Sequence, residues 1–138
     1  MESAKSEEEL QAMHWRDRYD YNSKRQEEAL AVLSEEELIE RIRANQPDPY
    51  YTIWLVIARK GTAKRSAIPL WYYLQRNPGE ANELHRYHCA AALFNILGMP
   101  DPEVENPLRR RVQWDVAGEA ARQEALLELR ALIDELLR

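Results

Sequence analysis

From Tyr87 to Leu97 the chain is apolar on nearly every side, and Gly98 and then Pro100 close the run. A helix that is apolar all round has to be buried, so the rest of the chain must wrap this segment. The helix that carries it starts near Glu80, after Asn77-Pro78-Gly79 has ended the preceding one. No stretch alternates apolar and polar residues over a strand's length, and no Asn-Gly or Asp-Gly hairpin turn occurs. The expected class is all-α.

Local signals place the other helices. Ser34-Glu35-Glu36-Glu37 is a capping box, in which Ser34 and Glu37 satisfy each other's backbone donors. Leu33 and Leu38 bracket it as a hydrophobic staple, and Leu38, Ile39 and Ile42 form the apolar stripe of a helix ending near Asn45. Asp48-Pro49 reads as an N-cap with proline at the first helical position, predicting a helix from Tyr50 to about Lys60 that stops at Gly61. The next helix runs from Ala63 or Ser66 to Arg76. Pro69 is tolerated if it falls in the first turns, where backbone N–H groups lack intrahelical partners. Asp101-Pro102 and Asn106-Pro107 are two further cap-plus-proline starts, and Gly118 opens a last helix with the stripe Leu126, Leu129, Ile133 and Leu136. This makes about six to seven helices. A chain of 138 residues fits one domain. Residues 23–138 are expected to form it, with residues 1–22 as a partly ordered N-terminal extension whose Trp15, Tyr19 and Tyr21 dock onto the rest.

Two segments look alike when their terminal glycines are aligned. Eight, five and four residues before Gly61 stand Ile53, Val56 and Ile57; the same steps before Gly98 give Ala90, Leu93 and Phe94. The two glycines are 37 residues apart, a period typical of stacked helical hairpins. The run from Arg86 through Tyr87, His88, Cys89 and Ala90 to Leu93, ending in Gly98, resembles the first helix of a HEAT-like repeat. Ala67-Ile68-Pro69-Leu70 followed by Leu74 resembles its proline-started second helix. The resemblance spans residues 48–98 and extends loosely over 99–138, where the segment from Met99 to Gly118 departs from the family's short linkers. It implies a short stack of antiparallel helical hairpins, an α-α superhelix presenting a scaffold or recognition surface. It transfers no catalytic residues, because such repeats share no active site.

Composition narrows the classes. There is one cysteine, Cys89, so no intramolecular disulfide can form, which fits a reducing compartment. No apolar run approaches the roughly 18 residues of a membrane span, and the acidic start MESAKSEEEL is unlike a secretory signal. A cytoplasmic protein without membrane partners is expected. Residues 1–46 hold 12 acids and 7 bases, residues 47–118 hold 7 and 9, and residues 119–138 hold 5 and 3. A mildly basic middle between acidic ends biases encounters toward anionic partners but falls short of a nucleic-acid signature.

Three constellations bear on chemistry. His85, His88 and Cys89 share the central helix, and His85 and Cys89, four apart, share a face with metal-ligand spacing. No second Cys or His cluster completes a set, so a buried thiol beside packed histidines is the simpler reading, and no metal or other cofactor is expected. Tyr50, Tyr51, Trp54, Trp71, Tyr72 and Tyr73 fall on two consecutive helices. Trp71 and Leu74 point inward, which leaves Tyr72 and Tyr73 for other directions; core packing accounts for most of the six, and a Tyr/Trp patch is also what binding surfaces favour. Arg59, Lys60, Lys64 and Arg65 flank the turn at Gly61, and Arg109, Arg110 and Arg111 follow Pro107. If the two clusters converge, they can grip phosphates or an acidic partner; the simpler reading is a solvated turn and a solvated helix face. No carboxylate pair stands in an apolar setting, and no phosphate-cradling glycine loop occurs.

The expected function is a non-enzymatic protein-interaction module that uses Arg59, Lys60, Lys64, Arg65, Tyr72, Tyr73, Arg109, Arg110 and Arg111. One alternative is nucleic-acid binding through the two basic clusters; a second is a metal protein or enzyme centred on His85, His88 and Cys89. The leucine stripe of the last helix has the a/d spacing of a pairing face, so it either caps the stack or forms a homodimer.

Overall fold

The computed structural model describes residues 4–99 and 106–138. Eight α-helices and no strand occur among the described residues: α1 (Glu7–Ala12), α2 (Trp15–Ala31), α3 (Glu35–Arg43), α4 (Thr52–Lys60), α5 (Ala63–Arg76), α6 (Glu83–Ile96), α7 (Pro107–Gln113) and α8 (Glu119–Leu136). A single 3-10 turn, Glu80–Asn82, precedes α6, so the apolar helix starts three residues later than its sequence suggests. The Asp101-Pro102 start lies outside the described residues. Residue 22 falls in the middle of α2, which runs unbroken from Trp15. Of the N-terminal aromatics, Tyr19 meets Tyr50 edge-on at 5.2 Å, while Trp15 stays exposed. No described helix is long and apolar enough to cross a membrane.

The helix ends follow short-range chemistry. Both bonds of the Ser34–Glu37 capping box are formed. Asn45, at φ 60°, closes α3: its N–H donates to Ile42 O and that of Gln46 to Arg41 O. Gly98, at φ 70°, closes α6 in the same way through Asn95 O and Phe94 O. Both are Schellman ends, which need a residue that tolerates the left-handed region. Gly61 works differently. Its φ is −70°, open to any residue, but a Cβ there would stand 2.5 Å from Ile57 O and 2.9 Å from Ile96 Cδ1. The two glycines that align in sequence therefore serve different ends, one backbone conformation and the other close approach.

Two proline expectations are corrected. Pro49 does not open α4; the helix begins at Thr52. The Asp48 carboxylate reaches across the intervening turn to accept from the N–H groups of Thr52 (3.0 Å) and Ile53 (2.7 Å) and from the Thr52 hydroxyl (2.6 Å). The chain passes through Tyr51 in the left-handed conformation, φ 62°, to make this turn. Pro69 sits seven residues into α5 rather than in its opening turns. It has no amide hydrogen for the Arg65 carbonyl one turn earlier.

Helices α2, α4 and α6 pack in one row and α3, α5 and α8 in another; α3 touches α4, α5 touches α6, and α7 touches both α6 and α8. The core follows the interface: Ile53, Ile57, Leu70, Leu74, Ala90, Leu93, Phe94, Leu126, Leu129 and Ile133 are fully buried. The stripe of α8 is thus already used inside the molecule. Leu126, Leu129 and Ile133 cannot also pair with a second copy, and only Leu136 of that stripe is exposed.

Two arginines lie wholly inside. Arg86 donates from Nε to Gln113 O (3.0 Å) and from Nη1 to Asn77 O (2.9 Å) and Gly79 O (2.6 Å). Arg122 donates from Nη1 to Leu74 O (2.6 Å) and Val112 O (3.1 Å), and grips Glu119 with Nε and Nη2. Their carbonyl partners are the final turns of α5 and α7 and the residues just beyond α5. A helix ends with unpaired carbonyls and the negative pole of its dipole, so both cations stand where two such poles meet.

Candidate functional site

The outward side of α5 carries Arg65, Ile68, Tyr72 and Arg76, at spacings of three, seven and eleven residues that place them on one helix face. The three consecutive aromatics take three directions. The Trp71 indole turns inward and donates to Leu126 O (2.7 Å). Tyr73 is 1% exposed and meets Trp54 edge-on at 4.7 Å. Tyr72 is 44% exposed. Around Tyr72, a groove of about 370 Å³ is lined by Arg43 of α3 and by Ile68, Pro69, Tyr72 and Arg76 of α5. Arg130 of α8 lies close to the same aromatics, its guanidinium 5.3 Å from the Trp71 ring and 5.8 Å from the Tyr72 ring. Its Nε donates to Asp134 Oδ1 at 3.2 Å, and like any guanidinium it stays charged.

The ion pairs around the groove are exposed ones. Arg43 pairs with Glu40 at 2.9 Å and lies 4.0 Å from Glu36; Arg130 pairs with Asp134 at 3.2 Å. Pairs of this kind are worth about 0–1 kcal/mol, so an incoming carboxylate displaces them at little cost. The arrangement offers an apolar and aromatic floor of Ile68, Pro69 and Tyr72 with two guanidinium groups, Arg43 and Arg76, in its lining.

The remaining basic residues divide. Arg59 pairs with Glu27 at 2.8 Å, and Lys60 donates to Ala31 O and Leu33 O, tying the end of α2 to α4. Lys64 and Arg65 are exposed at the start of α5. Arg109 is buried, donating to Gln113 Oε1 (3.2 Å) under the Tyr87 ring. Arg110 is exposed, and Arg111 pairs with Glu128. The helices that carry the two clusters meet α6 at different points. The end of α7 meets α6 at Arg86 and Tyr87, whereas the end of α4 meets it at Asn95, whose side chain donates to Ala58 O. Eight or nine residues of helix separate those points, roughly 13 Å. Tyr73 and Arg109 therefore drop out of any surface, because the core has claimed both.

Nor do His85, His88 and Cys89 gather around one point. The Cys89 thiol is buried and donates to Leu70 O (3.4 Å); burial pushes its pKa well up. His85 turns to α4, where its Nδ1 accepts the Trp54 indole N–H at 3.1 Å. Tyr51 packs against both histidines, with ring centroids 4.4 Å from His85 and 4.9 Å from His88. Burial lowers both histidine pKa values; Arg109 lowers His88 further, and Asp48 partly offsets the effect at His85. Neutral imidazoles suit that packing. Among the described residues no group of three or more His, Cys, Asp or Glu side chains is placed to hold a metal ion.

Arg43, Ile68, Pro69 and Arg76 of the groove, and Arg130 beside Tyr72, lie outside the set that the sequence pointed to. Arg76 was within reach, four residues after Tyr72 on the same face. Arg43 and Arg130 come from other helices, and no local pattern marks them. No protein-family model matches the chain, and neither a curated protein nor a solved structure matches it.

Proposed function

We propose that this chain is a non-enzymatic protein-interaction module of the stacked helical-hairpin, HEAT-like kind, acting in the cytoplasm through the outward face of α5. The observation that carries the reading is Tyr72, an exposed aromatic in a groove that Arg43 and Arg76 also line, with the Arg130 guanidinium 5.8 Å from its ring. Tyrosine and arginine are the residues enriched where binding energy concentrates. The occupant this chemistry suits is an acidic protein segment that places one apolar side chain against Ile68, Pro69 and Tyr72 and carboxylates against the arginines. Bidentate arginine–carboxylate pairs would fix its register. Two rows of helices with α5 exposed along one side give such a segment a rigid support.

The test is affinity capture from a cytoplasmic extract at low salt, with cross-links mapped by mass spectrometry. A stoichiometric partner cross-linked to Lys64 at the head of α5 through an acidic peptide, and lost on Tyr72→Ala or Arg76→Glu, supports the reading. Capture that survives both substitutions, or cross-links confined to other helices, rejects it.

A further inference from the structure

A second hollow lies on another part of the surface, between α7 and the start of α8. It has a volume of about 290 Å³, at the lower end of the range for small-molecule sites. The room comes from missing side chains: Ala117, Gly118 and Ala121 line it and carry at most a methyl group. Gly118 stands at φ 96°, a conformation that strains any larger residue, so the backbone itself keeps that position empty. The walls are Pro107 and Trp114, and Val116, 90% exposed, forms an apolar lip.

Three arginines reach this hollow, and two are already engaged. Arg111 pairs with Glu128. Arg122 is buried, and its donors go to Glu119 and to the Leu74 and Val112 carbonyls. Glu119 in turn is committed to Arg122 and Gln123, so its charge is answered within α8. Arg110 is exposed on the rim and has no ion-pair partner among the described residues. Among the described residues, the hollow therefore combines an apolar interior with one positive charge at its edge that no ion pair engages.

We propose that this hollow binds a compact apolar carboxylic acid, with its hydrocarbon body against Trp114, Val116 and Ala121 and its carboxylate on Arg110. A single carboxylate matches a single guanidinium in charge and in its two-pronged geometry. A phosphate, near −2 at neutral pH, would bring excess charge against an apolar wall. The volume sets the size: a phenyl or branched alkyl group with one carboxylate, not a nucleotide or an extended lipid.

The probe is phenylacetate, titrated into the isotopically labelled full chain and followed by amide and indole NMR shifts. Saturable shifts are expected at the Trp114 indole and at the amides of Ala117 to Ala121. Phenylacetamide, which keeps the shape and loses the charge, should bind about tenfold more weakly, the loss of one charge-assisted contact. Arg110→Gln should weaken phenylacetate to the same degree and leave phenylacetamide unchanged. Ala121→Leu, a helix-compatible change, should fill the hollow and abolish the shifts while the other resonances stay in place. A short peptide ending in phenylalanine, tested as free acid and as amide, separates a free acid ligand from a polypeptide C-terminus. Tighter binding of the peptide acid than of phenylacetate overturns the small-molecule assignment. Equal affinity for acid and amide, an Arg110→Gln variant that binds like the parent, or no saturation at millimolar phenylacetate overturns the site.

Discussion

Replacing Arg122 with methionine tests whether the buried guanidinium holds the ends of α5 and α7 together. Methionine keeps the unbranched stem and its packing, so the change isolates the polar head. The head supplies donors to two buried carbonyls, Leu74 O and Val112 O, and its other bonds go to Glu119, which is partly exposed. A buried carbonyl left without its donor costs about 1–3 kcal/mol, so the two together cost about 2–6 kcal/mol. A single domain is stable by about 5–15 kcal/mol, so this is a large share. The expected loss in urea unfolding followed by circular dichroism is about 4 kcal/mol, with a melting temperature lower by roughly 10–15 °C. Glu119→Gln should cost less than about 1 kcal/mol, because its carboxylate remains open to solvent. Arg122→Lys should fall between, since a point charge cannot serve two carbonyls in fixed directions. If Arg122→Met loses less than about 1 kcal/mol, the carbonyl-gathering role is refuted. If Glu119→Gln matches it, the ion pair and not the carbonyls is what matters.

Other outcomes follow from the same structure. Gly61→Ala should destabilise by about 1–3 kcal/mol through overpacking against Ile57 O and Ile96. Adding Ile96→Val should recover part of that loss, whereas strict additivity in the double mutant would mean the two residues do not press on each other. His85 and His88 have folded pKa values below the ordinary histidine value, so the unfolded chain takes up protons first as pH falls. The stability they contribute is complete above about pH 6.5, the unfolded value. It is lost as pH drops from there through their lower folded values. Urea midpoints should fall between pH 7.5 and pH 5.5, and a His85→Gln, His88→Gln variant should show a flatter profile. Cys89 should resist an aromatic disulfide reagent in native buffer and react promptly once the chain is unfolded in urea, because its buried thiol does not ionise. Reaction at equal rates in both states would contradict that burial.

Much of the fold was legible because helix punctuation is local. The Ser34 box, the break at Asn77-Pro78-Gly79, the Gly98 end, the Asn106-Pro107 start and the Gly118 opening all act within a few residues. What escaped was set at longer range. Gly61 and Gly98 look equivalent until Ile96 is seen against one of them. Tyr72 and Tyr73 are adjacent and chemically identical, yet a helix turns one outward and one onto Trp54, and only the neighbour's position decides which. Asp48 followed by proline carried the right partner and the wrong distance, because the carboxylate bridges a turn before the helix begins. The groove around Tyr72 draws Arg43 from α3, and α8 brings Arg130 against the same ring. Such a convergence has no period to read.

Burial is also unevenly spread from one end to the other. No residue of α1 is buried, and in α2 only Leu30 is. The six residues of α1 are held by the Ser6–Glu9 capping box and little else, and a helix that short is marginal by itself. The five buried residues of α8, by contrast, include the whole inward stripe. Amide protons will therefore exchange with solvent in a gradient, within α1 almost at once, along α2 through openings that leave the other helices intact, and around Leu126 and Leu129 only when the domain unfolds as a unit.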